Sequence, residues 1–396
     1  MKNTAARSPL RLLALTAALA AATLYLAQPI LGPITRSFGL PTIRGGWLVS
    51  VTQAGYAAGL LLVLPLSDTM ARRTLMVRLM GALAVALAAV AVAPSFGFLL
   101  VDTFGVGLLA SLAQVAVPLG GAFAASLGMG EGQAITIVFG GLLTGILGAR
   151  IVSGLITQVL GWRALFGMAA PTVAILALML RRTLPLLPPE SRLGYRAALA
   201  SMGEMLARTR GIIWGLGTSG FLGIVFGAFW TSLTFRLEGP PWHLGPAAIG
   251  AFGIFGVAGV LGAPRAGRFI DRMGPGPVVG VALGIAAVGQ ALIGLFGGSI
   301  LLLGLGIFVY DLGHQIAFVS NQVRVQSLVV GARFRLNSLL MTTVFLGMAG
   351  GSLLGTLIWP LGHVTGLAIL LFTALALAAV CHRWALGPRA SSRCPL

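Results

Sequence analysis

Charge is what this sequence has least of. Only 9% of its 396 residues are Asp, Glu, Lys or Arg, and just eight are acidic. A water-soluble domain carries roughly a quarter of its residues charged, so this chain cannot be solvated as a globule. Cysteine is equally scarce. Cys381 and Cys394 stand alone near the C-terminal end, which excludes a disulfide framework and a cysteine metal site. The four histidines, His243, His314, His363 and His382, are scattered without the spacing of metal ligands. No phosphate-binding loop of the Gly-Lys-Ser/Thr kind occurs, so ATP is not expected to drive work here. No seryl or thiol nucleophile has a base in evident reach, and neither an enzyme nor a bound cofactor is expected.

Apolar residues fill the space, at 57% of the chain. They recur in twelve runs near 11–31, 46–66, 75–93, 96–118, 134–156, 164–180, 211–235, 247–264, 278–296, 299–321, 338–359 and 365–384. A run of about 20 apolar residues crosses about 30 Å of hydrocarbon as a helix. The runs lack the short alternating pattern of a barrel, so the expectation is a polytopic all-α membrane protein. The N-terminal run has the basic start and Ala-rich exit of a secretory leader. It continues past any cleavage point to Ile30 and is expected to remain as the first helix.

The net charge of +18 resembles the footprint of a nucleic-acid-binding protein, but its placement argues otherwise. If the N-terminus and every second loop face the cytoplasm, that side holds 21 of the 26 basic residues. Arg36, Arg44, Arg163 and Arg236 fall outside, and Arg150 lies within a span. This is the positive-inside asymmetry, with both termini cytoplasmic in a bacterial inner membrane, and no nucleic-acid partner is expected.

The longest polar interval, 181–210, holds three prolines and six arginines and divides the spans six and six. The expected organisation is an N-terminal half at 1–180, a cytoplasmic loop at 181–210 and a C-terminal half at 211–396. A repeated motif supports duplication: "PLSDTMARR" (65–73) follows the second span and "GRFIDRMGP" (267–275) the eighth. Asp68 and Asp271 are 203 residues apart, about half the chain. An aspartate near a helix start is favoured by the helix dipole, and Arg72, Arg73 and Arg272 stand close enough to pair. These residues are candidate gating elements, or serve topology alone.

With these motifs the chain resembles the major facilitator superfamily over essentially its whole length. The second-half loop fits through Gly267, Asp271, Arg272 and Gly274. The first-half loop fits through Asp68, Arg72 and Arg73, with Leu64, Thr69 and Ala71 in place of the usual Gly, Arg and Gly. "YLAQPIL" (25–31), "QAGYAAGLLLVLPLSD" (53–68), "GILGARIVSGLITQVLGWRALF" (145–166), "DLGHQIAFVSNQ" (311–322) and "ARFRLN" (332–337) resemble a bacterial branch of efflux permeases of the drug and sugar type. The resemblance implies twelve helices in two pseudo-symmetric halves around a central cavity lined by the first, fourth, seventh and tenth. It also implies alternating access and a small-molecule substrate.

Polar residues inside the spans are the candidate site, because a charge at mid-membrane costs about 2.5–3.5 kcal/mol on insertion scales. Asp311 lies near the middle of the tenth span, with His314 and Gln315 on the same helical face. The acid and imidazole are a candidate proton site; a structural cluster fastening the helix is the alternative. Asn321, at the cytoplasmic exit of that span, is a candidate gate residue. Asp102 and Arg150 each stand 24 residues from Ser126, the turn between the fourth and fifth spans, so equal rise puts them at one depth. An ion pair is the leading expectation, and an Arg150 that binds an anionic substrate is the other. Tyr25, Gln28, Gln53, Tyr56 and Gln114 are candidate cavity residues, each equally able to make an interhelical hydrogen bond. "GLLTG" (141–145) is a candidate surface for sliding between the halves.

The expected function is proton-coupled export of a small organic compound by a monomer in the lipid bilayer. Uptake or exchange of an organic anion through Arg150 is the alternative, and a non-transporting membrane sensor is the alternative of another class.

Overall fold

The computed structural model describes residues 8–124, 129–185, 195–208, 210–296, 298–329 and 333–386. Among them every regular element is a helix. Hydrocarbon offers no partner to a backbone N–H or C=O, and an α-helix satisfies both within itself. Ten stretches are long and apolar enough to span a membrane. The last, Arg335–Ala385, holds two of the expected runs, because its helix bends at His363, where φ is +43°.

The remaining difference is the expected span at 247–264. It is broken into a short helix at Pro246–Ala251, a 3-10 turn at Phe252–Gly256 and a helix at Val257–Met273. The glycine run from Gly250 to Gly262 explains the break, since glycine is a weak helix former.

The chain divides into two compact units, Met1–Leu199 with Leu244–Ala251, and Ala200–His243 with Phe252–Leu396. The boundary at 199/200 falls inside the interval read as a loop. Part of that interval is instead a helix, Tyr195–Arg208, as its run of Ala, Leu and Met favours.

In the first unit α1 (Ser8–Thr23) stops early, turns through Leu24–Ala27, passes through a 3-10 turn at Gln28–Ile30 and resumes as α2 (Leu31–Arg36). Pro29, without an amide hydrogen, sits in that turn as its chemistry demands. There follow α3 (Gly46–Leu62), α4 (Leu64–Thr69), α5 (Arg72–Ala91), α6 (Phe96–Ala110), α7 (Ala113–Ala122), α8 (Glu131–Leu160) and α9 (Trp162–Thr183). The main pairings are α3 with α6, α1 with α8 and α5 with α9. Small residues make these approaches possible. A Cβ on Gly55 would meet the Phe104 carbonyl, and one on Gly107 would meet that of Thr52. Gly141 and Gly145 of "GLLTG" press on the backbone of Ala14 and Ala18 in α1. Their role is packing inside the first unit.

The second unit contains α11 (Arg210–Glu238), α13 (Val257–Met273), α14 (Pro275–Phe296), α15 (Ile300–Gln326) and α16 (Arg333–Ala385); α10 (Tyr195–Arg208) leads into it, and α12 is the short Pro246–Ala251 of the first unit. Here α11 packs along α16, and α14 and α13 pack on α15. The element that matters for function is α15, buried on much of its surface although it carries an acid, an imidazole and an amide.

Candidate functional site

The break between α1 and α2 places Tyr25 and Gln28 beside Arg150 of α8. All three side chains are buried, at 3, 3 and 4% exposure. Arg150 Nε donates to Gln28 Oε1 at 3.0 Å. Its guanidinium carbon lies 4.9 Å from the centre of the Tyr25 ring, within cation–π range. The amide and the ring fix the plane of a guanidinium, the group best shaped to grip a carboxylate or phosphate with two parallel bonds. Close by in the unit, the Tyr56 hydroxyl is hydrogen-bonded to Gln114 across α3 and α7. Gln53, one turn before Tyr56, is 1% exposed, and its Oε1 has no hydrogen-bond partner among the described residues.

The expected Asp102–Arg150 ion pair is replaced by these contacts. Equal distance from a turn fixes depth but not direction around a helix. Asp102 sits on α6, which packs on α3 and α5, whereas Arg150 sits on α8, which packs on α1 and α7. Asp102 Oδ2 is buried and accepts no hydrogen bond from any described residue.

In the second unit Asp311 and His314 are buried one turn apart, at 6 and 5% exposure, with Gln315 half-buried beside them. His314 Nε2 lies 3.1 Å from the Leu222 carbonyl of α11. A carbonyl can only accept, so Nε2 carries the hydrogen in the neutral ring and Nδ1 keeps the lone pair. That Nδ1 is buried without a hydrogen-bond partner among the described residues. The rings of Phe226 and Tyr310 stand 5.2 and 5.7 Å from the imidazole. The result is an imidazole flanked by aromatic rings one turn from a buried acid, anchored at one nitrogen and, among the described residues, unbonded at the other.

Further along α15, Asn321 is fully buried and clasps α11. Its Nδ2 donates to the Gly215 carbonyl at 2.8 Å and to Ser219 Oγ at 2.7 Å. Its Oδ1 accepts from Arg324 Nη2 at 2.5 Å, and Arg324 Nη1 donates to His382 Nδ1 of α16 at 3.0 Å. Gln322 and Gln326 both donate to Asn337 Oδ1, at 2.7 and 2.9 Å. Sequence reasoning missed His382 and Asn337. His382 lies 58 residues from Arg324 and no pattern joins them. Asn337 closes the "ARFRLN" segment, and that resemblance was its only signal.

The loop motifs are less connected. Arg73 donates to the Arg181 carbonyl, and Arg72 is half-buried. Asp271 and Arg272 are exposed at the end of α13. The Asp68 side chain lies outside the described residues. "GWRALF" makes a corner, with Gly161 at φ +83°, Arg163 stacked 4.3 Å over Trp162, and Trp162 Nε1 bonded to Ser37 Oγ at 3.1 Å.

Comparison with known proteins places this geometry in context. Residues 13–352 match the family model of the Major Facilitator Superfamily. The Escherichia coli O157:H7 transporter YgaY is 35% identical over 365 residues, covering 90% of each chain. The Streptomyces coelicolor transporter SCO4007 is 35% identical over 367 residues, 91% of this chain and 83% of that one. Among solved structures, a bacterial homologue of the human lysosomal transporter Spinster, inward-facing and unoccupied, aligns over 96% of both chains with a TM-score of 0.74 at 15% identity. The nucleoside transporter NupG aligns over 94% of this chain and 98% of its own, with a TM-score of 0.74 at 16% identity.

Proposed function

The chain belongs to the Major Facilitator Superfamily, and from that premise we propose that it is a secondary transporter that exports a small organic compound in exchange for protons. It works as a monomer by alternating access in a bacterial inner membrane, with both termini in the cytoplasm. The observation that carries the coupling is the pair Asp311 and His314, buried one helical turn apart within a largely apolar span. An isolated charge there is costly, so a group that can take up and release a proton is the economical occupant. His314 Nδ1 is the atom that would accept it, since Nε2 is held by Leu222. Protonation would turn that position from acceptor to donor and change what it can bind.

Recognition falls to Tyr25, Gln28, Gln53, Tyr56 and Gln114 in the first unit and separately to Gln315 in the second, mainly neutral groups that suit a partly apolar compound with a few polar groups. In proteoliposomes with an imposed pH gradient, Asp311→Asn is expected to abolish gradient-driven flux while substrate still stabilises the protein. Undiminished gradient dependence would end the coupling proposal. A chain that binds ligand and never moves it would instead be a sensor.

One observation favours a second reading: Arg150 is buried and oriented by Gln28 and Tyr25. A substrate carboxylate would find a guanidinium already aimed, and the transported compound would then be an organic anion. Thermal-shift screening of neutral compounds and organic acids separates the two readings. Stabilisation confined to acids and lost in Arg150→Ala favours the anion.

A further inference from the structure

Within the second unit α15 runs antiparallel to α11, and contacts at three levels of the seam share one register. The Tyr310 ring lies 4.8 Å from that of Phe229. His314 Nε2 meets the Leu222 carbonyl at 3.1 Å. Asn321 Nδ2 reaches the Gly215 carbonyl at 2.8 Å and Ser219 Oγ at 2.7 Å. His314 and Asn321 are seven residues apart on α15, as Leu222 and Gly215 are on α11.

Apolar contacts do not choose among registers, because they are non-directional and lipid tails compete with them. The imidazole does not choose either, since either ring nitrogen can carry the hydrogen that it donates. Asn321 has no such freedom. Arg324 only donates, so its 2.5 Å contact makes Asn321 Oδ1 the acceptor and turns Nδ2 toward the two acceptors of α11. Arg324 is held in turn by His382 at 3.0 Å. The Asn321 side chain is 0% exposed, so a slip along α11 would leave its amide unpaired in apolar surroundings. One buried asparagine sets the register of a coiled coil by the same cost. We propose that Asn321 is the positioning residue of the proton site. It pins α15 on α11, holds His314 Nε2 on the Leu222 carbonyl and so keeps Nδ1 as the nitrogen that takes the proton. Its functional consequence rests on the coupling read above for His314.

The test uses the purified full-length chain, isotopically labelled on its histidine nitrogens. Protonated and unprotonated ring nitrogens resonate far apart, and His314→Gln assigns the signal by its loss. The unaltered chain is expected to show His314 with the hydrogen on Nε2. Asn321→Leu should split that signal between the two tautomers. In proteoliposomes it should also lower the gradient-driven rate about tenfold or more with little change in KM. Ser219→Ala, which removes one of the two acceptors, should move both readouts in the same direction by less, and it covers the case in which Asn321→Leu does not fold. Ser352→Ala is the control. It removes a buried hydrogen bond of 2.9 Å from Thr231, between α11 and α16, and should lower the melting temperature without touching the His314 signal. A hydrogen on Nδ1 in the unaltered chain overturns the proposal. So does a parental His314 signal in the seam variants, however much stability they lose. The coupling reading fails on a different result, undiminished gradient-driven flux in His314→Gln, so the two failures are told apart.

Discussion

At Arg150 a guanidinium is buried among apolar helices, yet its plane is set by the Gln28 amide and the Tyr25 ring. Lysine keeps the charge but has neither the Nε donor nor a flat face to stack. If Arg150 grips substrate, Arg150→Lys should raise the KM of flux about tenfold with little change in melting temperature, the loss expected of one charge-assisted hydrogen bond. At the opposite end of the same logic stands Arg324, whose buried head is divided between Asn321 and His382. Removing the imidazole leaves a buried charged donor without its acceptor. His382→Ala is expected to destabilise the fold by about 2 kcal/mol, read from denaturant or thermal melts. A melt unchanged from the parent would show that water replaces the imidazole without loss.

Among the elements, α3 and α6 meet backbone to backbone, through Gly55 against Phe104 and Gly107 against Thr52. In a bilayer lipid tails are as apolar as leucine, so helices associate by close fit and not by hiding from water. Gly107→Val should therefore force the pair apart and cost about 1–3 kcal/mol, lowering both the melting temperature and the yield of folded protein. Gly81 of α5 is the control, because a Cβ there meets nothing within 4 Å. Gly81→Ala should leave the fold intact or stabilise it by up to about 1 kcal/mol through helix propensity. If the two substitutions behaved alike, close contact would not be what holds α3 to α6. The early end of α1 follows the same principle from the other side. Backbone irregularity inside a membrane persists where it serves a site, and here it delivers Tyr25 and Gln28 to Arg150.

For the whole molecule, the distribution of arginine predicts orientation. Single cysteines at Arg36 or Arg163 should react with a membrane-impermeant maleimide added to intact cells. Cysteines at Arg182 or Arg272 should react only after the membrane is opened. The reverse pattern would invert the topology and with it the direction assigned to export.

The apolar runs were legible because span length is a one-dimensional property: about 20 residues either cross hydrocarbon or do not. For the same reason the polar interval 181–210 and the one-turn spacing of Asp311 and His314 stand out along the sequence. What lies between helices could not. The Asp102–Arg150 pairing failed because counting from Ser126 gives depth, while the partner is decided by which helix faces which. The spacing of "GLLTG" suggested a surface for sliding between the halves, whereas Gly141 and Gly145 press on α1 inside the first unit. The Asn321–Arg324–His382 chain joins residues tens of positions apart. Sequence by itself determined an all-helical membrane protein, the order of its spans and the polar residues worth suspecting, since all follow from local hydropathy and helical period. Only the tertiary structure decided the partner of each polar group, because the rotation and packing of helices set that choice, and neither is written in any single span.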